Sequence, residues 1–293
     1  MVKFIYKEDL LNVLIEILLK INVPIKKAVA LAGNLVRSDL RGISSHGLNH
    51  FSFYIEMIEN GVIRPKANYE IIKDTASTAL IDGNMDIGQF VCQDAVKIAS
   101  KKAKNNLIGI VGVKNIGHVG HLGDYTRMIL DENLIGIMYV NVDIGVAAFG
   151  GKESVLGSNP ISYAIPAGKE KPIIIDFATS ATPGGNISKR LRSGAKLEKG
   201  WAINKDGFET DNPKELYKDL SFPIAWGENF TGAILPAAGH KGYGLALVAD
   251  IFAGALTGGI CDGDVIDGEN FAFIQAINPE IFVSKEEYLK IVD

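Results

Sequence analysis

The sequence predicts an α/β fold, with a helical N-terminal unit ahead of a mixed strand-and-helix portion. Three observations carry this expectation. Apolar residues repeat at helical spacing up to about Pro65, then give way from Thr78 to Asn141 to short apolar runs alternating with amphipathic stretches. The 32 glycines gather at 109–123, 145–157, 184–200 and 239–259, which suits backbone-lined loops of an α/β protein and not a helix bundle. The 293 residues are 47% hydrophobic and 22% charged, an ordinary composition for a chain long enough for two domains.

Taken in order, Leu10, Leu14, Ile17, Leu18 and Ile21 mark a first helix over 8–21. Pro24 opens a second that runs to about Ser38. Small and polar residues from Ser38 to Gly47 break the period and read as a loop. A third helix is expected from His46 or Gly47 to Asn60, with Gly61 as its stop. Thr78–Asp82, Leu107–Val113 and Leu134–Asn141 read as strands. The helices Gln93–Asn105 and Tyr125–Asn133 lie between them, the pattern of a mostly parallel sheet. Ile161–Ile165 and Ile173–Phe177 read as further buried strands, 184–233 as a long irregular excursion, 242–256 as an apolar helix and 285–292 as the start of another. The expected division is a helical domain over 1–75, joined by 260–293, and an α/β domain over 76–259.

Several functions are excluded at this level. The net charge of -4 is mixed along the chain with no basic patch, so nucleic acid is not an expected partner. Leu10–Leu19 is too short to span a membrane, is interrupted by Glu16, and nothing resembles a signal peptide. Cys92 and Cys261 lie far apart in no metal-type or redox-type pairing, which fits small buried thiols and a reducing, cytoplasmic setting.

Four glycine-bearing turns hold all five histidines or lie beside them. In Ile116–Tyr125, glycines 117, 120 and 123 follow a strand and precede a helix, where free N–H groups attract an anion. His118 and His121 add side chains suited to proton transfer near neutral pH. The spacing is G-x-x-G-x-x-G and not the dinucleotide fingerprint G-x-G-x-x-G. In Arg41–Gly47, Arg41 can grip a carboxylate, and Ser45 with His46 can relay a proton if the loop folds back. The structural alternative is Ser45 as a helix cap and Arg41 paired to Asp39. Asp176 ends a strand, where ribose-binding acids sit in nucleotide folds; its alternative is a helix cap. His240-Lys241 open a helix between glycines, which suits a phosphate or carboxylate; the alternative is a solvated lysine.

These elements together resemble the type 2 malate/L-lactate dehydrogenase family, which also holds sulfolactate, ureidoglycolate and diketogulonate dehydrogenases and cyclic-imine reductases. The resemblance rests on Asp39-Leu40-Arg41-Gly42 with Ser45-His46-Gly47, Asn115 through His118 to Gly120, and Leu156–Pro160. It extends to Asp176 with Ala178-Thr179-Ser180, and to Lys241–Leu245, all in the family's order over roughly residues 5 to 280. It implies a homodimeric oxidoreductase using NAD or NADP, with a fold of its own and not the ordinary Rossmann arrangement. By this match Gly120, His121, Leu122, Gly123, Asp124, Asp176, Phe177, Ala178, His240 and Lys241 contact the cofactor. His118, with Ser45 and His46, transfers the proton. Arg41, helped by His50 when charged, holds the carboxylate of a small 2-hydroxy or 2-keto acid of the malate, lactate or sulfolactate type. The chain departs from the family at His50, where members acting on carboxylates often carry Arg, and the family usually continues past the residue where this chain stops. Two other readings stay open: a metal-dependent hydrolase using the pairs His46/His50 and His118/His121, although no H-E-x-x-H is present, and a cofactor-binding member without activity.

Overall fold

The computed structural model describes residues 5–220, 229–261 and 268–293. Residues 221–228 of the expected excursion, 262–267 of the C-terminal segment and 1–4 of the helical unit lie outside the described residues. The N-terminal periodicity gives α1 (Lys7–Lys20) and α2 (Ile25–Leu40), with Pro24 as the N-cap of α2. Leu14 and Leu18 of α1 join Leu31 and Leu35 of α2 in one cluster, which Tyr54, Met57, Ile63 and Ile87 complete.

The third helix, α3 (Phe51–Glu59), starts later than its periodicity suggests. Two 3-10 turns, Ser44–His46 and Leu48–His50, come first. The cause is local. Gly47 is extended at φ -97° and ψ -148°, and the carboxylate of Asp39 accepts the N–H of Leu48 at 2.8 Å. A Cβ at residue 47 would lie 1.9 Å from Asp39 Oδ1, so only glycine lets the carboxylate interrupt the helix there.

The α/β portion is built on a seven-stranded sheet. Its strands are β1 (Glu70–Asp74), β2 (Thr78–Asp86), β3 (Ile108–Gly117), β4 (Ile135–Asn141), β7 (Ile161–Ile165), β8 (Ile173–Phe177) and β11 (Glu269–Ile277), in the order β1-β2-β3-β11-β4-β7-β8. The expected strand–helix alternation is present, with α4 (Gly88–Asn106) after β2 and α5 (Gly123–Leu130) after β3. The expectation of a mostly parallel sheet is corrected: β2 and β3 form its one parallel pair, and every other pair is antiparallel. β3 and β4 do run the same way, but β11 lies between them, antiparallel to both. Thus the segment 260–293, expected to join the helical unit, sends a strand into the centre of the sheet.

β11 shows why the sheet takes helices on both faces. Ala272, Ile274 and Ala276 belong to the cluster formed with α4 and α5. The alternate residue Phe273 turns to the other face and meets Phe252 of α7 (His240–Ala253) edge to face, 5.2 Å between centroids. β8 is corrected in the other direction. It is the outer strand, and Ile173, Ile175 and Phe177 are exposed although the run reads as buried.

The expected excursion is partly regular. It contains α6 (Gly184–Ser193), and it supplies β9 (Ala202–Ile203) and β10 (Ala233–Ile234). With β5 (Ile144–Ala147) and β6 (Ser154–Gly157) these form a second sheet, β6-β5-β10-β9. The chain ends in α8 (Lys285–Val292). No helix among the described residues is long and apolar enough to cross a membrane.

α2 fastens the helical unit to the sheet by one polar stripe. Lys27 donates to Asp86 Oδ2 at 2.5 Å and to the carbonyl of Pro65 at 2.9 Å. About two and three turns further along the helix, Asn34 Nδ2 and Arg37 reach Asp124, at 3.1 Å and at 2.6 to 3.0 Å. A buried carboxylate needs such partners.

Candidate active site

The 3-10 turns at 44–50, α3, the turn after β3, the end of β8 and the start of α6 enclose a cavity of about 520 Å³, well inside the range of small-molecule sites. Ile43, Phe53, Val119, Leu122, Val142 and Phe177 form its apolar wall.

Three imidazoles line one side of it. His46 and His50 stack at 5.7 Å between centroids and 8° between planes. His118 stacks on His46 at 5.9 Å and on His50 at 5.5 Å. The sequence reason is the interrupted helix, which turns residues 46 and 50 to the same side, facing the end of β3. The same turn brings Ser45 Oγ to 3.0 Å from His46 Nδ1, so these neighbours do converge and Ser45 does not cap a helix.

Burial lowers all three imidazoles. His46 falls to about 4, partly restored by Asp176, and His50 falls to about 3, with His46 and Arg192 lowering it further. His118 falls well below the ordinary value, again through burial and then through the other two rings. Burial dominates for all three, helped by His46 at His50 and by both other rings at His118, so the stack disfavours charge.

His118 is the most tightly held. Its Nδ1 lies 2.6 Å from Tyr54 Oη, and Gln89 Nε2 donates to the same phenol oxygen at 2.6 Å. Asn270 Oδ1 accepts the N–H of Val119 at 3.0 Å and fixes the backbone just beyond.

Opposite the stack, His121 Nε2 pairs with Asp176 Oδ2 at 2.9 Å, and Asp176 Oδ2 also accepts the N–H of Gly123 at 2.6 Å. The anion at the start of α5 is therefore the chain's own carboxylate. Gly120, Leu122, Phe177 and Ala178 line the cavity as well. Gly120 has φ +76°, a conformation that favours glycine, and a Cβ there would lie 2.4 Å from Asn34 Oδ1.

Thus Ser45, His46, His50, His118, Gly120, His121, Leu122, Asp176, Phe177 and Ala178 come together at one cavity. Five expected residues do not line it, among them Gly123, whose N–H is taken by Asp176. Arg41 Nη1 pairs with Asp124 Oδ1 at 2.8 Å, and the same carboxylate holds Arg37, so Arg41 and Asp124 are turned to each other and not to the cavity. Burial works against ionisation of Asp124, but Arg37 and Arg41 outweigh it and keep it ionised. His240 and Lys241 are exposed at the start of α7, with His240 edge-on to Phe149.

Other residues at or behind the cavity gave no sequence signal. Tyr54 sits on the apolar face of α3, and Gln89 follows the glycine that starts α4. Arg192, in the last turn of α6, lines the cavity with Gly184 and Gly185 of the first turn. It has no salt bridge among the described residues. Among the described residues no three His, Cys, Asp or Glu side chains are grouped to hold a metal ion.

An imidazole-lined, largely apolar cavity beside a mixed sheet defines an α/β protein built to process a small molecule. The sequence model for malate/L-lactate dehydrogenase matches residues 5–293. L-sulfolactate dehydrogenase of Methanocaldococcus jannaschii is 37% identical over 289 residues, covering 96% of this chain and 80% of that protein. Malate dehydrogenase of Pyrococcus horikoshii is 37% identical over 294 residues, covering 96% and 78%. The crystal structure of malate dehydrogenase from Entamoeba histolytica superposes with a TM-score of 0.90 at 31% identity, covering 100% of this chain and 83% of that one. The chain belongs to the malate/L-lactate dehydrogenase family, and so is an oxidoreductase of the dehydrogenase type.

Proposed function

We propose that the protein transfers a hydride between NAD or NADP and C2 of a small 2-hydroxy or 2-keto acid of the malate, lactate or sulfolactate type, with imidazole as the general acid and base. The observation that carries this reading is the stack of His46, His50 and His118 on one wall of a cavity that also holds Arg192.

The residues present fit a nicotinamide cofactor. Apolar walls at Val119, Leu122, Val142 and Phe177 suit the flat ring. Buried His121 Nδ1 has no partner among the described residues and is free to meet a polar group. Asp176 suits a ribose hydroxyl. Gly184 and Gly185 begin α6 without a side-chain cap, leaving N–H groups that suit a phosphate. When bound, the nicotinamide supplies or accepts the hydride. The protein positions and protonates: Arg192, in place of Arg41, would hold the substrate carboxylate, and an imidazole would exchange a proton with the C2 oxygen. A carboxylate entering beside the stack favours charge on an imidazole, offsetting the burial that keeps the empty site neutral.

The same reading includes a homodimer in a cytoplasmic setting. Leu245, Val248, Ile251 and Leu256 form an exposed apolar stripe along and just past α7, which supports association of two copies. Cys92, a fully buried thiol, fits a reducing compartment.

The test is absorbance at the nicotinamide band with NADH and NADPH against oxaloacetate, pyruvate, sulfopyruvate and a cyclic imine. Oxidation with a 2-keto acid is expected. Binding of neither dinucleotide would overturn the reading, and turnover with the imine alone would overturn the substrate class.

A further inference from the structure

The polar groups behind His118 form a line whose direction can be followed atom by atom. Gln89 is fully buried in the first turn of α4, and its Nε2 donates to Tyr54 Oη at 2.6 Å. Tyr54 is 1% exposed, and burial raises its phenol far above the ordinary range, so it keeps its proton. With a donor already on its oxygen, the phenol proton is directed to His118 Nδ1, the other group at 2.6 Å. Nδ1 then accepts, and a neutral imidazole whose Nδ1 accepts carries its one proton on Nε2.

We infer that Tyr54 and Gln89 are positioning residues that hold His118 as the neutral Nε2–H tautomer, so that it donates a hydrogen bond to the substrate carbonyl oxygen and keeps its proton, while His46 exchanges the proton. This rests on the dehydrogenase reading for its catalytic consequence, but not for the tautomer.

The division of labour follows from the surroundings of the two rings. Protonating His118 would set an Nδ1–H against the Tyr54 O–H, which has no second acceptor among the contacts described, so donor would face donor. His46 has no such obstacle, because its Nδ1 lies against Ser45 Oγ, which can accept or donate with equal ease. Asp176 also favours charge on His46, whereas the neighbours acting on His118 are the two other imidazoles. In reduction, C2 gains the hydride that a bound dihydronicotinamide would supply from its own C–H bond, the nicotinamide being oxidised in turn, while the C=O π pair moves to oxygen. That oxygen takes one proton from the His46 imidazolium, and His46 regains one from water after the product leaves. His118 stabilises the developing charge as a fixed dipole, with its proton count unchanged.

The tautomer can be read without turnover. In the full-length protein labelled with 15N-histidine, long-range 1H–15N spectra at about pH 7.5 report which ring nitrogen is protonated, above the ordinary His pKa of about 6.5. His118→Gln identifies the resonance. The wild type is expected to show His118 with Nε2 protonated and Nδ1 bare. Tyr54→Phe should yield a mixture with the Nδ1–H form, and Gln89→Leu should shift it the same way but less. Thermal melting verifies that both variants fold. An Nδ1–H form in the wild type, or an unchanged spectrum in folded Tyr54→Phe, would overturn the inference.

On a 2-keto acid, Tyr54→Phe should lower kcat roughly 10- to 100-fold, the scale for groups that orient a catalytic imidazole, with KM within about threefold. His46→Gln should lose roughly 10²- to 10⁴-fold. Near-wild-type turnover by folded His46→Gln would remove His46 as the proton carrier. If the wild type turns over no keto acid, the dehydrogenase reading fails while the tautomer result still decides the positioning claim.

Discussion

Moderate acid should weaken this protein through its histidines before most carboxylates titrate. In the unfolded chain each imidazole protonates near 6.5. In the fold, burial lowers His46 to about 4, His50 to about 3 and His118 well below its ordinary value. A depressed folded pKa means that below 6.5 the unfolded chain binds protons that the native state excludes. The stability is fully present above 6.5 and is lost as pH falls toward the folded values. Each excluded proton costs about 1.4 kcal/mol per pH unit. For three rings between about pH 6.5 and 5 the ceiling is about 6 kcal/mol, comparable with the roughly 5–15 kcal/mol that holds a typical protein together. Because the rings line a cavity that water enters, about 3 kcal/mol is the working expectation.

The assay is urea unfolding of wild type and His50→Asn at several pH values between about 7 and 5. His50 is the ring to remove because it touches both others and, unlike His46 and His118, has no part in the proton transfer inferred above. Its loss takes away one excluded proton and relieves the two rings that remain. The pH slope of stability should therefore fall by about a third or more. Asp124 adds a slope of the same sign, since its pKa is lowered, but only near and below the ordinary carboxylate range, outside this window. A wild-type midpoint that is flat from about pH 7 to 5, or an identical slope in His50→Asn, would refute the reasoning.

Three further outcomes are expected. Arg192→Ala should raise KM for a 2-keto acid roughly 10- to 100-fold, the loss of a charge-assisted hydrogen bond, with the nicotinamide dissociation constant unchanged; steady-state kinetics and fluorescence titration check the two halves. Gly120→Ala should lower stability by about 1–3 kcal/mol in thermal melts, because φ is +76° and the new Cβ would meet Asn34 Oδ1 at 2.4 Å. Asp124→Asn should cost about 2–4 kcal/mol in urea, less than for a fully buried pair because Arg37 is 41% exposed and Arg41 27%.

What was legible in the sequence is what has a local cause. The succession β2, α4, β3, α5, β4 follows from apolar period and glycine punctuation, and the strand Ile173–Phe177 matches its apolar run residue for residue. The insertion of β11 between β3 and β4 has no local cause. An apolar strand declares its faces but not its neighbours, and this one pairs with residues more than a hundred positions earlier. The same limit explains β8, whose isoleucines read as a buried strand because edge position is a property of the whole sheet. At the site, glycine turns drew attention to histidines that the fold gathers at one cavity, whereas Tyr54 and Gln89 look like ordinary helix residues until the fold sets them behind His118.

Arg41 and Asp124 show how residues that do not line the cavity can still matter to it. A charge in a glycine-rich loop and an acid at a helix start each read as a ligand contact, because a chain met as a string does not reveal that they are partners 83 positions apart. In the fold, Asp124 draws Asn34, Arg37 and Arg41 to the start of α5. α2 leads directly into the turns that carry Ser45, His46 and His50, and α5 follows directly from the turn that carries His118. The Asp124 carboxylate therefore sets the distance between the two sources of imidazole. Rings stacked at 5.5 to 5.9 Å need both sources fixed to within a fraction of that spacing. A charge cluster outside the cavity is in this way a condition for the stack on which the proposed chemistry depends.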